Sequence, residues 1–195
     1  VSITGDAVVA EGATAAYTVS LTSLAQTAVT VNLSYSGTAL DGTDFTGVAT
    51  VTIAAGSSSA ALNIATLADV LAEGAENFTV TIDSAAGGNF ESLVISSANG
   101  ALTTSITDDD TPTIAVSSPS LTEGGFAVFT VSLSNASTTA IVFTPSLASG
   151  SATVGTDTGT ALEYFNGMAW VAVPVGGISI AAGSTSRLKR LFIES

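Results

Sequence analysis

Apolar residues alternate with Thr, Ser and Ala along most of this chain. Around Tyr17, Val19 and Leu21, and again around Val29, Val31 and Leu33, every second position is apolar. A period of two marks a half-buried β-strand, because successive side chains point to opposite faces of a sheet. In the first part of the chain the pattern predicts strands A to G at about 1–9, 14–22, 28–35, 47–54, 59–66, 76–83 and 93–107, with Asn99-Gly100 as a point of interruption in the last. Gly, Ser, Asp and Asn fill the gaps between them. Seven short strands separated by such turns predict an all-β, Greek-key sandwich of the immunoglobulin-like type.

The pattern then repeats. Glu11-Gly12 and Tyr17-Thr18-Val19-Ser20-Leu21-Thr22 recur as Glu123-Gly124 and Phe129-Thr130-Val131-Ser132-Leu133-Ser134, at an offset of 123 − 11 = 112. Gly42-Thr43-Asp44 returns as Gly155-Thr156-Asp157, and Ile53-Ala54-Ala55-Gly56-Ser57 as Ile180-Ala181-Ala182-Gly183-Ser184. A period this long describes whole domains in tandem, not solenoid units of ~20 to 50 residues. Two domains are expected, 1–112 and 113–195, with Pro112 at the junction.

The second domain carries an insertion from Glu163 to Val171, in which Asn166-Gly167 predicts a two-residue hairpin turn. Its aromatics, Tyr164, Phe165 and Trp170, are expected to pack in the hairpin or core in preference to forming a sugar-stacking platform. Beyond Ser186 no counterpart of strands F and G is recognisable, so this domain reads as incomplete. The tail from Arg187 to Ser195 is open to three readings: a strand, a foreign or frame-shifted terminus, or a true divergence.

Composition narrows the function. The net charge is −13, and the three basic residues, Arg187, Lys189 and Arg190, all lie in the tail. Such a surface repels nucleic acid. No apolar run approaches the ~20 residues of a membrane-spanning helix, so no membrane insertion is expected. The absence of Cys removes disulfides and thiolate metal sites, and the absence of His removes Ser-His-Asp and Cys-His catalysis. A glycosidase-like use of Glu73 and Glu76 would need a cleft between two acids, and an enzyme is not expected. The chain starts at Val1 without an initiator Met or a leader, and is expected to be an internal segment of a longer protein.

The acids are not scattered. If strands A to G alternate up and down, the A–B, C–D and E–F connections and the end of G share one end of the sandwich. Glu11, Asp41, Asp44, Asp69, Glu73, Glu76, Asp108, Asp109 and Asp110 all fall there, which is nine of the first domain's twelve carboxylates; Asp6, Asp83 and Glu91 do not. Phe78, Val80 and Ile82 share the core face of strand F, which turns Glu76 inward at its start. Two carboxylates about 5 Å apart repel by roughly 3 kcal/mol at an effective dielectric of ~20, so the set predicts a bound cation. Calcium suits it better than magnesium, because Ca²⁺ accepts 6 to 8 oxygens in flexible geometry.

Glu11-Gly12, the loop Gly42-Thr43-Asp44-Phe45, the run Asp69…Glu73-Gly74-Ala75-Glu76-Asn77-Phe78 and the closing Asp108-Asp109-Asp110 resemble a Calx-beta domain. The resemblance covers 1–110 well and about 113–184 in part. It implies Ca²⁺ ligand roles for Glu11, Asp44, Asp69, Glu73, Glu76, Asp108, Asp109 and Asp110. The second domain keeps Glu123 and Asp157 but no counterpart of the E–F acids or the Asp run, so a calcium site of its own is in doubt. The Thr/Ala/Val/Ser texture is similar to the repeats of large bacterial surface adhesins. That likeness implies calcium-stiffened extender repeats, secreted or at the cell surface, whose partners are calcium ions and neighbouring repeats. Alternatives are a regulatory calcium sensor or an ancillary carbohydrate-binding module of a secreted enzyme.

Overall fold

The computed structural model describes residues 1–120, 122 and 124–193, with side chains omitted at 188 and 190–193; Glu123, Glu194 and Ser195, part of the motifs above, lie outside the described residues. The chain divides into two compact units, Val1–Asp69 with Gly74–Asp109, and Val70–Glu73 with Asp110–Ser195. Every regular element among the described residues is a β-strand. No helix is long and apolar enough to cross a membrane.

Unit 1 is an immunoglobulin-like sandwich of two sheets. Its strands are β1 (Ser2–Gly5), β2 (Val8–Ala10), β3 (Thr14–Ser20), β4 (Val29–Gly37), β5 (Phe45–Thr46), β6 (Thr50–Ile53), β7 (Ser59–Thr66), β8 (Glu76–Gly87) and β9 (Ala101–Thr107). One sheet has the order β1-β3-β7-β5 and the other β2-β9-β8-β4-β6. The inward residues predicted from period two, among them Val19, Val29, Val31, Ile64, Phe78 and Val80, are buried together in one core. Between the sheets the Tyr17 and Thr104 hydroxyls are 2.5 Å apart, so neither polar group is stranded in the core.

Four elements differ from the sequence reading, each for a local reason. Strand A is not continuous: β1 pairs antiparallel with β3, whereas β2 crosses to the other sheet and pairs parallel with β9. At the break the Asp6 carboxylate accepts the Ala16 N–H at 2.8 Å, replacing a ladder bond with a side-chain one. Strand F runs on to Gly87 because the pairing of β4 with β8 shifts register between Asn32 and Leu33, leaving Asp83 as the extra residue of a bulge. Strand G begins only at Ala101: Ser96 Oγ accepts the Asn99 N–H at 3.1 Å and turns the chain, although Leu93 and Ile95 still pack on the core. Strand D is shorter than its pattern, with β6 covering Thr50–Ile53, and a strand outside the reading, Phe45–Thr46, joins β7 before it.

Unit 2 repeats half of this plan. Its strands are β10 (Ile114–Val116), β11 (Phe126–Leu133), β12 (Ile141–Phe143), β13 (Thr158–Phe165), β14 (Trp170–Ala172), β15 (Ile178–Ile180) and β16 (Ser186–Ile193). The sheet β10-β11-β16-β13-β14 lies in the place of the β1 sheet, and β12-β15 matches β4-β6 alone. As far as Ile193 the tail is therefore a strand, and a central one, since β16 pairs with both β11 and β13. The insertion does form a hairpin, but its loop has four residues. Asn166 Oδ1 accepts the N–H groups of both Met168 and Ala169 at 2.9 Å, and Asn166 N–H bonds Ala169 O at 3.0 Å. The Phe165 and Trp170 rings meet at 5.7 Å and 54°, a packed pair instead of a flat strip.

Register places Lys189 where unit 1 has a core leucine. Ser132 pairs with Ser186 as Ser20 pairs with Ser59, so Lys189 corresponds to Leu62. Lys189 is 5% exposed, and its ammonium sits 4.1 Å from the Phe143 ring centre. Burial lowers its pKa to about 8. An unfolded lysine titrates near 10.4, so between about pH 8 and 10.4 the unfolded state holds more protons and stability rises with pH. Unit 2, monitored through the sole tryptophan, Trp170, is expected to gain denaturant resistance from pH 7.5 to 10, and Lys189→Met to flatten that rise. Parallel pH profiles for the two proteins would contradict the burial of a charged Lys189.

Candidate metal centre

The parallel pairing of β2 with β9 builds the first group of acids. Its register sets Val8 opposite Ser105, Val9 opposite Ile106 and Ala10 opposite Thr107. The residues that follow on each strand are Glu11 and Asp108. Glu11 N–H bonds Thr107 O at 3.0 Å, and Gly12, at φ 69°, lets the chain turn back into β3. Thr66, buried at the end of β7, donates its hydroxyl to Ala10 O and Ala13 O, both at 2.9 Å, pinning the same turn from the other sheet. One carboxylate oxygen from each of Glu11, Asp108, Asp109 and Asp110 lies within 4.8 Å of the others.

A buried aromatic holds the second group. Phe45 stacks on Phe78 with centroids 4.5 Å apart and meets Tyr35 at 5.3 Å, which fixes Asp44 immediately before it. Asp44 Oδ2 accepts the Leu40 N–H at 2.6 Å, and Leu67 N–H bonds Asp44 O at 2.9 Å. Nearby, the Tyr35 hydroxyl donates to Val48 O and accepts Val48 N–H. Burial raises the pKa of that phenol, the Val48 hydrogen bond works against the rise, and Asp41 adds to it. Glu76 opens β8, paired with Ile106 of β9 and therefore at the same end as Asp108. Oxygens of Asp44, Glu73 and Glu76 lie within 4.8 Å of one another.

The eight acids named from the sequence thus fall into two groups and one remainder. Asp69 belongs to neither; it is exposed, and its N–H donates to Glu11 Oε1 at 2.5 Å. Glu73 and Asp110 fall in unit 2, each next in sequence to a residue of unit 1, Gly74 and Asp109. Asp41 is occupied locally, accepting Gly47 N–H at 2.7 Å. Asp83, on the bulge, accepts the Ser34 hydroxyl at 2.7 Å. Six of the seven grouped acids are partly buried, Asp109 being the exposed one.

Sequence reasoning missed a structural duty of Asp44. Asp157 of unit 2 repeats it: Thr153 N–H bonds Asp157 Oδ2 at 2.7 Å and Gly155 N–H bonds Thr158 O at 2.7 Å, as Gly42 N–H bonds Phe45 O at 2.8 Å. Both loops use a glycine at φ 85°. No group of three acids occurs in unit 2 among the described residues, so its aspartate staples a loop outside any such group. The signal was available in the repeated Gly-Thr-Asp triplet, which outlasts the loss of the other acids.

A family model described as the LapA domain matches residues 1–111. Among solved structures, CBD12 from CALX1.2 aligns at 16% identity over 95% of this chain and 72% of that one, with a TM-score of 0.46. The calcium binding domain CBD12 of CALX1.1 aligns at 19% identity over 98% and 74%, with a TM-score of 0.45. The search of curated proteins returned no match.

The staple and any ion-binding role of Asp44 separate by substitution. With a chelator present, Asp44→Ala is expected to lower stability by about 1 kcal/mol, the net worth of the hydrogen bond from Leu40 N–H that it removes. Asp44→Asn, which keeps an acceptor oxygen, is expected to fall within about half of that. Urea titrations followed by far-UV circular dichroism read the difference. Equal losses for the two variants would mean that the charge, and not the hydrogen bond, holds the loop.

Proposed function

Because the chain belongs to the LapA domain family, which is adhesin-related, we propose that it is a calcium-stiffened extender segment of a bacterial cell-surface or secreted adhesin. The observation that carries this reading is the gathering of acids at one end of unit 1, where Glu11 with Asp108 and Asp109, and Asp44 with Glu76, have oxygens within 4.8 Å of one another. That spacing fits oxygens sharing one Ca²⁺, since two Ca–O distances of about 2.4 Å span about 4.8 Å. Glu11, Asp108, Asp109 and Asp110 would hold one ion, and Asp44, Glu73 and Glu76 another.

Calcium supplies charge neutralisation here, and the protein supplies position. Unit 1 folds its acids to one end through strand pairing, so the repulsion among them is present before any ion arrives. An ion turns that repulsion into cross-links between the turn after β2, the loop before β5 and the start of β8. Asp108 to Asp110 also form the segment by which the chain leaves β9. Restraining it would stiffen the path into whatever repeat follows, which is what an extender needs. The role proposed is mechanical, with no catalytic residue.

If millimolar calcium is ~100 times the dissociation constant, mass action adds about 2.7 kcal/mol and raises the melting temperature of unit 1 by roughly 10 °C. Magnesium is expected to do much less. Glu76→Gln and Asp109→Asn are each expected to shrink the calcium response in calorimetry, and Asp83→Asn to leave it unchanged. All three remove one negative charge, so an equal effect of Asp83→Asn would replace the ligand assignment with a diffuse field.

A further inference from the structure

Three pairs of Asp or Asn followed by Gly occur in the chain: Asp41-Gly42, Asn99-Gly100 and Asn166-Gly167. Such a pair can close on itself. The glycine nitrogen attacks the side-chain carbonyl carbon, and without a Cβ on the glycine little shields the approach. The fold treats the three pairs differently. Gly42 N–H donates to Phe45 O at 2.8 Å, which occupies that nitrogen, and Asp41 accepts Gly47 N–H. At the second pair both carbonyls beside the reacting nitrogen are held: Asn99 O accepts Ile3 N–H and Gly100 O accepts Ile82 N–H, each at 2.8 Å. A Cβ on Gly100 would lie 2.6 Å from Ser96 O, so that peptide has little room to turn.

The third pair is arranged for reaction. Residues 166–169 form the exposed loop between β13 and β14, and Gly167, at φ 104°, has open space where a Cβ would stand. Among the described residues Gly167 takes part in no hydrogen bond, so its nitrogen is uncommitted. Asn166 Oδ1 accepts Met168 N–H and Ala169 N–H, both at 2.9 Å, which folds the side chain forward along the Gly167 peptide. Two N–H groups on one carbonyl oxygen also draw electron density from Cγ. They stabilise the negative charge that Oδ1 gains when a nucleophile adds, as an oxyanion hole does.

We propose that Asn166 is a self-modification site, converted through a cyclic imide with Gly167 to an aspartyl or isoaspartyl residue. The Gly167 nitrogen gives its proton to water or hydroxide and bonds to Asn166 Cγ. The Cγ–Nδ2 bond then breaks and Nδ2 leaves as ammonia, closing the imide. Water opens the ring at either carbonyl. The net change is one water consumed and one ammonia released, with no oxidation. Each event adds one negative charge to the loop, and the isoaspartyl form also adds a main-chain carbon between β13 and β14. The hairpin thereby records the age of the molecule.

The full chain is incubated at mildly alkaline pH, folded and in guanidinium chloride, and then cut with a glutamate-specific protease under mildly acidic conditions that stop the reaction. Cleavage after Glu91, Glu123, Glu163 and Glu194 puts Asn99 and Asn166 on separate peptides. Mass spectrometry reads the conversion of amide to acid, and electron-transfer fragmentation separates aspartyl from isoaspartyl products. In guanidinium chloride the two asparagines are expected to convert at similar rates. In the folded chain Asn99 is expected to slow at least about tenfold, because two backbone hydrogen bonds must open first. Asn166 is expected to convert several-fold faster folded than unfolded and to yield both products, and Asn166→Gln to leave its peptide unconverted. The proposal is overturned if Asn166 converts no faster folded than unfolded, which would mean that the loop does not assist the reaction. It is also overturned if Asn99 keeps pace with Asn166 in the folded chain, or if Asn166 yields the aspartyl product alone.

Discussion

The parallel pairing of β2 with β9 is the constraint on which the acid end of unit 1 depends. Strand A begins in one sheet and finishes in the other, and only that crossing sets Ala10 beside Thr107. Neighbouring strands lie about 4.8 Å apart, so the next residues, Glu11 and Asp108, are delivered as neighbours by backbone geometry before any side chain chooses a rotamer. The antiparallel pairing of β8 on the far side of β9 adds Glu76 at the same level. Phe45, wedged between Tyr35 and Phe78, brings Asp44 from the opposite sheet. The positions of Glu11, Asp108, Glu76 and Asp44 are thus consequences of the ladder and of one aromatic cluster.

Such an arrangement stores repulsion in a fold whose total stability is on the order of 5 to 15 kcal/mol. A cation reverses the sign of that term, and the fold then becomes tighter where it was most strained. Under the proposed extender role this is a useful location, because one ion would hold together the turn after β2 and the exit from β9. Unit 2 shows the same loop without a group of three acids among the described residues. Its Asp157 loop keeps the hydrogen-bonded shape of the Asp44 loop. Loop shape and charge accumulation are therefore separable properties of the same scaffold.

Most strands were readable from period two, because Val19, Val29, Val31, Phe78 and Val80 report a core face directly. What was not readable depended on side chains acting as backbone. Asp6 accepting the Ala16 N–H divides strand A, and Asn166 accepting two N–H groups widens the hairpin loop beyond its Asn-Gly signal. The bulge at Asp83 follows from register, which alternation within one strand does not encode. Lys189 was hidden for another reason: a cation at a core position breaks the apolar pattern, so a strand stayed only one of three readings of the tail. The gathering of acids at one end followed from counting strands. Their division into two groups, with Asp69 left as a backbone donor to Glu11, required coordinates.

Crystals of the chain grown in millimolar calcium, with anomalous differences recorded at long wavelength, bear most directly on the central claim that these acids are ligands. The account predicts peaks about 2.3 to 2.6 Å from carboxylate oxygens of Glu11 with Asp108 to Asp110, and of Asp44 with Glu76. A well-ordered unit 1 with no anomalous peak at either group, or with peaks only at Asp6, Asp83 or Glu91, would contradict it.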